Sequence, residues 1–309
     1  MIVSKNIVKD LSRIVFWFPV RWFILILPFS WINKLGALVG DLDYLAFGAG
    51  RIRKMCLNIS SALQCKPEQA KRITRENLRN HSRNNLELLK YPQLNKKGLK
   101  KLAGYKNINF LDQALDRGKG VILLTAHFGA KQFLQVALGH AGYSINQINY
   151  HMDESELSFI QKNVSQRHRI LIEEKIPITF IPAKSFMRSV FKVLKENKVL
   201  IIAGDGIGLK RHMDDSYIPF SFLGKKMLFP TNAVNLANRT GSMIIPVFTV
   251  REKKGHTIVF QAPINSDRDL QQAEIVQKYV SVLEKFVSNY PELWEFWEEF
   301  DEENLILSE

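Results

Sequence analysis

The sequence predicts an α/β fold with a mostly parallel central sheet flanked by helices, preceded by an N-terminal helical segment at a membrane. From about residue 104, short apolar runs alternate with longer helical patterns, and such alternation is typical of parallel strands joined by helices. Hydrophobic residues make up 46% and charged residues 24% of the chain, which is a globular composition. The run Ile14–Trp31 is far more apolar and aromatic than the remainder.

Length and cysteine content exclude several classes of protein. A chain of 309 residues buries a full core without disulfides or a structural metal. Cys56 and Cys65 are the only cysteines in the sequence, which excludes a disulfide framework and a cysteine-rich zinc site. No small-residue cleavage site follows the apolar run, so we expect no cleaved signal peptide.

The N-terminal apolar run predicts an interfacial or half-inserted membrane anchor. Pro19, Arg21 and Pro28 interrupt it, and its longest charge-free stretch, Trp22–Asn33, is too short to cross a hydrocarbon core of about 30 Å as a helix. Tryptophans in such a segment favour the headgroup level, and three are present: Trp17, Trp22 and Trp31. A buried helix pair and a tilted span over Ile14–Leu38 are the alternatives.

The distribution of charge favours an anionic partner. The chain carries a formal charge of +13, residues 1–100 alone carry +12, and residues 291–309 hold eight acidic and no basic side chains. Phospholipid headgroups, an acidic carrier protein and nucleic acid all fit a basic body. The predicted helix Glu68–Lys90 repeats arginine at helical spacing, as expected of a solvated face or of a surface that faces a membrane. No nucleic-acid-binding motif accompanies the charge, so we expect no nucleic-acid partner.

Periodicity assigns the individual elements. The predicted strands are Gly120–Thr125, Ser144–Tyr150, Ile176–Ile181, Val199–Ala203, Met243–Val250 and Thr257–Ala262. The predicted helices are Gly50–Leu63, Glu68–Lys90, Asn107–Arg117, Lys131–Ala141, Glu154–Leu171, Ser185–Asn197, Pro230–Arg239 and Val276–Ser288. The tail Pro291–Glu309 predicts either a last helix that docks Trp294 and Trp297 or a frayed end.

His127 is the strongest candidate for chemistry. It follows the apolar strand Gly120–Thr125 and precedes the helix Lys131–Ala141, at the strand end where open α/β sheets bind ligands. On one helix, His127 and Gln132 would lie about 140° apart, so they face each other only if His127 lies in the turn before the helix. There the helix dipole favours a neutral imidazole, the form that a general base needs. The alternative is a structural histidine held by hydrogen bonds.

Asp205 ends a second apolar strand, in the sequence GDGIG. This glycine spacing departs from the G-x-G-x-x-G pattern of dinucleotide-binding sites. A carboxylate in the same pocket as His127 and an aspartate that caps a turn are both consistent with the segment.

Five blocks of the chain, in the same order, resemble the bacterial lipid A biosynthesis (lauroyl/myristoyl) acyltransferase family, within the His-x4-Asp/Glu glycerolipid and lysophospholipid acyltransferase superfamily. The blocks are the N-terminal LPFSWINKLGALVG with the basic helix after it, GVILLTAHFGAKQF, LIIAGDGIG, IPFSFLGKKMLFPTNAVNLANRTGSMIIPVF and YPELWEFW. The second resembles the family's catalytic HFGNWE segment.

The resemblance implies a reaction, its partners and a location. His127 would deprotonate a hydroxyl of a glycolipid or lipid A-like acceptor, which attacks the thioester of acyl carrier protein or coenzyme A, without a further cofactor or metal. Gly129, Ala130 and Lys131 would hold the oxyanion through backbone N–H groups or a cation. The implied location is the cytoplasmic face of the bacterial inner membrane, with residues 1–48 as apolar anchor helices and 49–309 as an α/β acyltransferase domain.

Gln132 departs from the family, because it occupies the position of the acidic residue that orients the histidine. A glutamine carbonyl accepts a hydrogen bond from the imidazole but supplies no negative charge. Three outcomes stay open: a slow enzyme, an enzyme that uses another carboxylate (Asp205 first, then Asp153 or Glu154), or an attenuated or non-catalytic lipid-binding relative.

Two further regions bear on substrate binding. By resemblance, Arg167 is the first candidate for binding a phosphate or carboxylate, with Arg169 and Arg188 behind it; a solvent-facing basic helix end is the alternative. The acidic C-terminus also departs from the family's basic aromatic ending. Its carboxylates would repel an anionic lipid surface, or fold back on the basic body.

Overall fold

The N-terminal third of the protein is helical. In a computed structural model, the structure describes residues 7–46, 48–149, 157–182, 186–205, 216–264 and 271–300. The first helices are α1 (Ile7–Val15), a π-helical turn at Phe16–Val20 that contains Pro19, α2 (Arg21–Ile26), α3 (Phe29–Ala46), α4 (Ala49–Leu63) and α5 (Pro67–Lys90). The last two confirm the predicted basic helices.

The tilted span over Ile14–Leu38 is wrong, because the chain leaves the helical conformation at Leu27 and starts a new helix after Pro28. Proline has no backbone N–H and disfavours a helical conformation in the residue before it, which explains the break. Among the described residues, no helix combines the length and the apolar character that crossing a membrane requires.

Trp22 and Trp31 are exposed, at 63% and 60%; their position at the headgroup level of a membrane stays a prediction. The Trp17 side chain, by contrast, is buried and stacks on His168 with ring centroids 5.2 Å apart. The prediction that Trp17 lies at the headgroup level is therefore wrong, because this side of the first helices packs on the protein. The division of the chain at residue 48 stays a prediction.

Helices α3 and α5 pack closely. There is no room for a side chain at Gly40, where a Cβ would lie 2.3 Å from the Arg79 Cα. The Arg79 guanidinium donates to both carboxylate oxygens of Asp41 at 2.7 Å, and Arg75 donates to the same carboxylate at 2.6 Å. These two arginines therefore join α5 to α3, although Arg75 keeps about half of its side chain exposed, as predicted for a solvated face. That this face of α5 meets a membrane stays a prediction.

A seven-stranded sheet confirms the predicted α/β class. Its strands are β1 (Ala103–Lys106), β2 (Val121–Thr125), β3 (Ile145–Asn149), β4 (Thr179–Pro182), β5 (Val199–Ala203), β8 (Met243–Arg251) and β9 (His256–Phe260), in the order β1-β9-β8-β2-β5-β3-β4. The pairing is parallel throughout, except between β8 and β9. The central strand β2 is buried along its whole length, as expected of a parallel strand covered on both faces.

Helices cover the sheet, and all except the first of them, which was not predicted, lie close to their predicted positions. They are α6 (Lys96–Leu102), α7 (Asn109–Leu115), α8 (Lys131–Ala141), α9 (Arg167–Glu173), α10 (Phe186–Lys195), α11 (Asn232–Thr240) and α12 (Gln272–Asn289). Within the predicted helix Glu154–Leu171, the described part is a π-helical segment, Gln161–Gln166, that continues into α9.

Three strands were not predicted from the sequence. Strand β1 is a short edge strand with three of its four residues exposed, so it lacks the apolar run that marks the others. Strands β6 (Tyr217–Phe222) and β7 (Lys225–Pro230) form an antiparallel hairpin apart from the main sheet. Pro219 and Pro230 lie within the hairpin, and proline in a run argues against a strand.

The C-terminal segment docks on the body through its tryptophans, as one of the two alternatives predicted. Trp294 and Trp297 are fully buried, although a 3₁₀ turn at Pro291–Leu293 takes the place of a helix. We call residues 291–297 the C-terminal turn. Asparagines of α5 and α4 donate to its carbonyls: Asn77 Nδ2 to the Trp294 oxygen at 2.6 Å, and Asn58 Nδ2 to the Trp297 oxygen at 2.8 Å.

A buried ionic cluster joins α5 to strands β8 and β9. The fully buried Glu87 accepts hydrogen bonds from Arg251 at 2.5 Å and from His256 Nε2 at 2.9 Å. Burial raises the pKa of Glu87, but the charges of His256 and Arg251 and their hydrogen bonds outweigh burial and lower it from 4.5 to about 2. The carboxylate is therefore ionised in the folded protein.

Replacing Glu87 with glutamine should destabilise the protein by about 3 kcal/mol, because it leaves Arg251 buried without its counter-charge. The depressed pKa of Glu87 adds stability that is present above pH 4.5 and is lost as the pH falls toward 2. Urea unfolding of wild type and Glu87→Gln at several pH values measures both effects. Equal unfolding free energies at pH 7 would contradict this role of the cluster.

Candidate active site

His127 and Asp205 meet because their strands are neighbours. Strands β2 and β5 are parallel, and Thr125 at the end of β2 is paired with Ala203 at the end of β5. His127 and Asp205 each lie two residues beyond this pair. The register thus brings both side chains to the same point at the carboxyl edge of the sheet, where α/β proteins bind their ligands.

Asp205 holds the histidine by two hydrogen bonds. Its Oδ1 lies 2.9 Å from His127 Nδ1, and its Oδ2 accepts from the His127 backbone N–H at 2.6 Å. An ionised carboxylate only accepts hydrogen bonds, so Nδ1 carries the proton and Nε2 presents its lone pair. Asp205 is fully buried, whereas the side chain of His127 is 28% exposed. The imidazole is therefore oriented from the inside and accessible from the outside.

The turn after His127 is held by segments distant in sequence. The backbone N–H of Glu295 donates to the His127 oxygen at 2.9 Å, and the Gly129 N–H donates to the Leu293 oxygen at 2.8 Å. Asn84 of α5 donates to the Gly129 oxygen at 2.9 Å, while its own side-chain oxygen accepts from Arg251 at 2.6 Å. The buried cluster around Glu87 is thus linked to the turn beside the imidazole.

Gly129 is required by its backbone conformation and its surroundings. Its φ is +58°, and a Cβ at this position would lie 1.9 Å from the backbone oxygen of Thr249 in β8. A side chain therefore fits neither the left-handed conformation nor the available space. The glycine allows the chain to turn from β2 into α8 within a few residues of His127.

The environment of the imidazole is aromatic on one side. The ring of Phe296, in the C-terminal turn, has its centroid 4.5 Å from that of His127. Segments 150–156, 183–185 and 206–215, which follow β3, β4 and β5 in the sequence, lie outside the described residues. So do the two alternative carboxylates, Asp153 and Glu154.

Tyr279 of α12 supports the same edge of the sheet and was not singled out from the sequence. Its hydroxyl donates to the Thr125 oxygen at 2.7 Å, and the Gly204 N–H donates to the same oxygen, also at 2.7 Å. Burial, with a contribution from the charge of Asp205, raises the pKa of Tyr279 well above its usual value. The tyrosine hydroxyl therefore stays protonated, and the hydrogen bond that it donates to Thr125 holds the end of β2 in place.

Gln132 does not orient His127. It lies half-buried in the first turn of α8, and the described residues show no hydrogen bond between it and the imidazole, whose Nδ1 is bonded to Asp205. The prediction that Gln132 could hold the tautomer is therefore wrong. Of the candidates for a replacement carboxylate, the structure brings Asp205 to His127.

Glu295 is a second carboxylate close to the histidine, and its partner is Lys131. Lys131 Nζ lies 2.9 Å from Glu295 Oε2, and both side chains are about four-fifths buried. Burial raises the pKa of Glu295, but the charges of Lys131 and His127 outweigh it, and the net pKa lies below the usual value. The described part of the acidic ending, up to residue 300, folds back on the basic body, as one of the predicted alternatives stated. A second ion pair joins Glu298 to Arg51 of α4.

The candidates for holding an oxyanion differ in their availability. The Gly129 N–H is bonded to Leu293, so the prediction that it would bind the oxyanion is wrong for this conformation. Lys131 and Gln132 open α8, and Ala130 precedes it; the first N–H groups of a helix have no partner within it. Among the described residues no hydrogen bond occupies these three N–H groups.

The predicted substrate-binding arginines make no described contact with the candidate base, and their role stays a prediction. Arg169 pairs with Glu173 of its own helix at 3.0 Å, and Arg167 and Arg188 are exposed. Within the described part of the chain, no hydrogen bond, ion pair or ring contact connects any of the three to His127. The helix that carries Arg167 and Arg169 packs on the N-terminal helices instead, through the stacking of His168 on Trp17. In the same part of the chain, no group of three or more histidine, cysteine and acidic side chains could hold a metal ion.

Comparison with known proteins supplies the family. The model of the family described as bacterial lipid A biosynthesis acyltransferase matches residues 5–298. A search of curated proteins returns no match. A crystal structure that is similar is that of the 1-acyl-sn-glycerophosphate (LPA) acyltransferase PlsC from Thermotoga maritima, at 13% identity, with a TM-score of 0.37 and coverage of 83% of this chain and 95% of that chain.

The family assignment rests on the match along nearly the whole sequence, which includes the strand end with His127, the strand end with Asp205 and the C-terminal turn. The resemblance seen in the five sequence blocks is thereby confirmed. The chain belongs to the bacterial lipid A biosynthesis acyltransferase family and is an O-acyltransferase.

Proposed function

We propose that this acyltransferase moves a fatty acyl group from an acyl thioester, carried by acyl carrier protein or coenzyme A, to a hydroxyl of a glycolipid or lipid A-like acceptor. His127 is the general base. The observation that carries the proposal is the pair formed by His127 Nδ1 and the buried Asp205 at 2.9 Å, which leaves Nε2 as an accessible proton acceptor.

The reaction requires one proton to be moved twice. Nε2 of His127 takes the proton of the acceptor hydroxyl while the hydroxyl oxygen attacks the carbonyl carbon of the thioester. The carbonyl oxygen becomes an oxyanion, and its collapse breaks the carbon–sulfur bond. The imidazolium then returns the proton to the departing thiolate, so the products are an ester and a free thiol. Asp205 keeps the ring oriented and stabilises its positive charge in between.

The oxyanion would be held at the start of α8. The N–H groups of Ala130, Lys131 and Gln132 point along a helix whose N-terminal end carries a partial positive charge, and the Lys131 ammonium lies in the same turn. Donors fixed before the reaction stabilise a developing oxyanion without a cost of reorganisation. In this proposal Gln132 contributes its backbone rather than its side chain.

We also propose that the enzyme acts on the cytoplasmic face of the bacterial inner membrane. Exposed apolar side chains recur every three or four residues along α1, the π-helical turn after it and α2: Ile7, Leu11, Val15, Phe18, Trp22 and Ile26. Arg21 lies over the Trp22 ring, 5.4 Å from its centroid. An apolar helical face flanked by cations is the pattern of a helix that lies in a lipid interface.

Removing the buried carboxylate should reduce the rate while the fold is retained. Asp205→Asn cannot stabilise the imidazolium, and the analogous change beside the histidine of serine proteases lowers the rate about 10⁴-fold. We expect a fall of about 10³- to 10⁴-fold in Asp205→Asn, and activity at background in His127→Ala. Mass spectrometry of acceptor lipid incubated with an acyl thioester measures ester formation, and circular dichroism controls for folding.

Wild-type activity in His127→Ala would overturn the proposed mechanism. Absence of acyl transfer in the wild type, with both thioester donors, would favour the lipid-binding alternative. Lipid analysis of cells with and without the gene identifies the acceptor, because the mass of the missing acyl group names both the chain and the lipid that carries it.

Introducing the family's acidic residue tests whether Gln132 attenuates the enzyme. Because Asp205 already occupies Nδ1, Gln132→Glu should change kcat by less than about threefold, since a carboxylate without a hydrogen bond to the imidazole adds only a screened charge interaction. A rise of tenfold or more in the same ester assay would show that the natural protein is a slowed enzyme.

Changing the exposed face of α2 tests membrane binding. Burial of the Trp22 and Ile26 side chains in a bilayer contributes at least about 3 kcal/mol to the free energy of membrane binding. The double variant Trp22→Ser/Ile26→Ser should therefore bind phospholipid vesicles at least tenfold more weakly. Sedimentation with vesicles that contain phosphatidylglycerol measures this. Tyr290→Ser, which removes an exposed ring at the end of α12, is the control. Equal binding by all three proteins would contradict the interfacial role of α2.

A further inference from the structure

The ion pair between Lys131 and Glu295 lies inside the turn that carries the general base. Lys131 is the first residue of α8, four residues after His127, and Glu295 donates its backbone N–H to the His127 oxygen at 2.9 Å. The two charged groups meet at 2.9 Å and are largely shielded from water. A partly buried pair beside a reacting imidazole is a stronger electrostatic feature than a pair on the surface.

Each member of the pair faces a different developing charge. In the proposed reaction, negative charge grows on the thioester oxygen near the start of α8, and positive charge grows on the imidazole. The Lys131 ammonium is on the helix that would hold the oxyanion, whereas the Glu295 carboxylate is on the turn hydrogen-bonded to His127. The pair is neutral before the reaction and is oriented to stabilise both charges during it.

We infer that Glu295 is a positioning residue of this active site: it holds Lys131 toward the oxyanion and provides, from the C-terminal turn, a negative charge for the imidazolium that Gln132 does not provide. The inference rests on the proposed function and extends it to a residue on the opposite end of the chain. The lowered pKa of Glu295 is consistent with it, because the carboxylate stays ionised between Lys131 and His127.

The charges around the imidazole make the inference testable by pH. His127 is bonded to Asp205, two residues beyond the end of β5. It is also close enough to Glu295, the partner of Lys131, to affect the pKa of that carboxylate, as is His81 of α5. A carboxylate near the histidine favours its protonated form, and an ammonium disfavours it. Removing one or the other should therefore move the pH dependence in opposite directions.

Glu295→Gln should lower kcat by about ten- to a hundredfold with a smaller change in KM, since a largely buried charge close to the imidazole contributes about that much at an intermediate dielectric. The acid limb of kcat/KM against pH should move down by about half a unit, because Lys131 is left without its counter-charge. Lys131→Gln should also lower kcat, but its acid limb should move up. A purely structural role for the pair predicts no such opposite shifts.

Glu298→Gln is the matched control. Glu298 lies three residues further along the chain and pairs with Arg51 of α4, away from His127, so its loss removes a carboxylate and an ion pair but should leave kcat and the pH profile as in the wild type. Glu295→Asp, which keeps the charge, should recover at least a third of the wild-type kcat. Thermal unfolding of each variant identifies any that fail to fold.

Gln132→Glu, introduced into Glu295→Gln, tests the charge directly. If Glu295 supplies a negative charge to this turn, a carboxylate on α8 should restore kcat several-fold in this background. Wild-type kcat and pH dependence in Glu295→Gln, or shifts of the same sign in the two single variants, would overturn the inference while leaving the proposed function intact. Loss of transfer in the wild type itself would instead overturn the proposed function.

Discussion

The active site depends on one requirement: a fully buried carboxylate must be paired. Asp205 lies at the carboxyl end of β5 without exposure to solvent, and leaving such a group without partners is strongly destabilising. The backbone N–H and the ring of His127 provide those partners. The same contacts that satisfy the carboxylate determine the tautomer of the histidine. The folded protein therefore already holds the imidazole in the form that accepts a proton at Nε2.

The position of His127 is then secured by backbone hydrogen bonds from outside the sheet. The C-terminal turn pairs with residues 127–129, and asparagines on α5 bind both the turn and Gly129. Because each of these contacts uses a carbonyl or an N–H group, they constrain the path of the main chain rather than filling space. Rigid placement of a base within a fraction of an ångström is what proton transfer between heavy atoms requires.

Much of this arrangement was predictable from sequence, and the reasons for the exceptions are physical. Apolar runs such as Val199–Ala203 identify buried strands, and His127 and Asp205 were recognised at two strand ends. That β2 and β5 are neighbours was not predictable, because sequence periodicity carries no information on the order of strands. Gln132 was wrongly predicted as the hydrogen-bond partner of His127, because a spacing of five residues does not reveal which side chain reaches Nδ1. Glu295 was seen only as part of an acidic tail, since its contact with Lys131 spans 164 residues.

The contacts of the C-terminal turn also affect the order in which the site can form during synthesis. Residues 293–295 follow every strand of the described sheet along the chain, and they bind the loop of His127. A nascent chain that already contains the sheet, the histidine and the aspartate still lacks the hydrogen bonds that fix the loop. A chain cut shortly before Leu293 would therefore lack an ordered catalytic loop, even where its sheet forms.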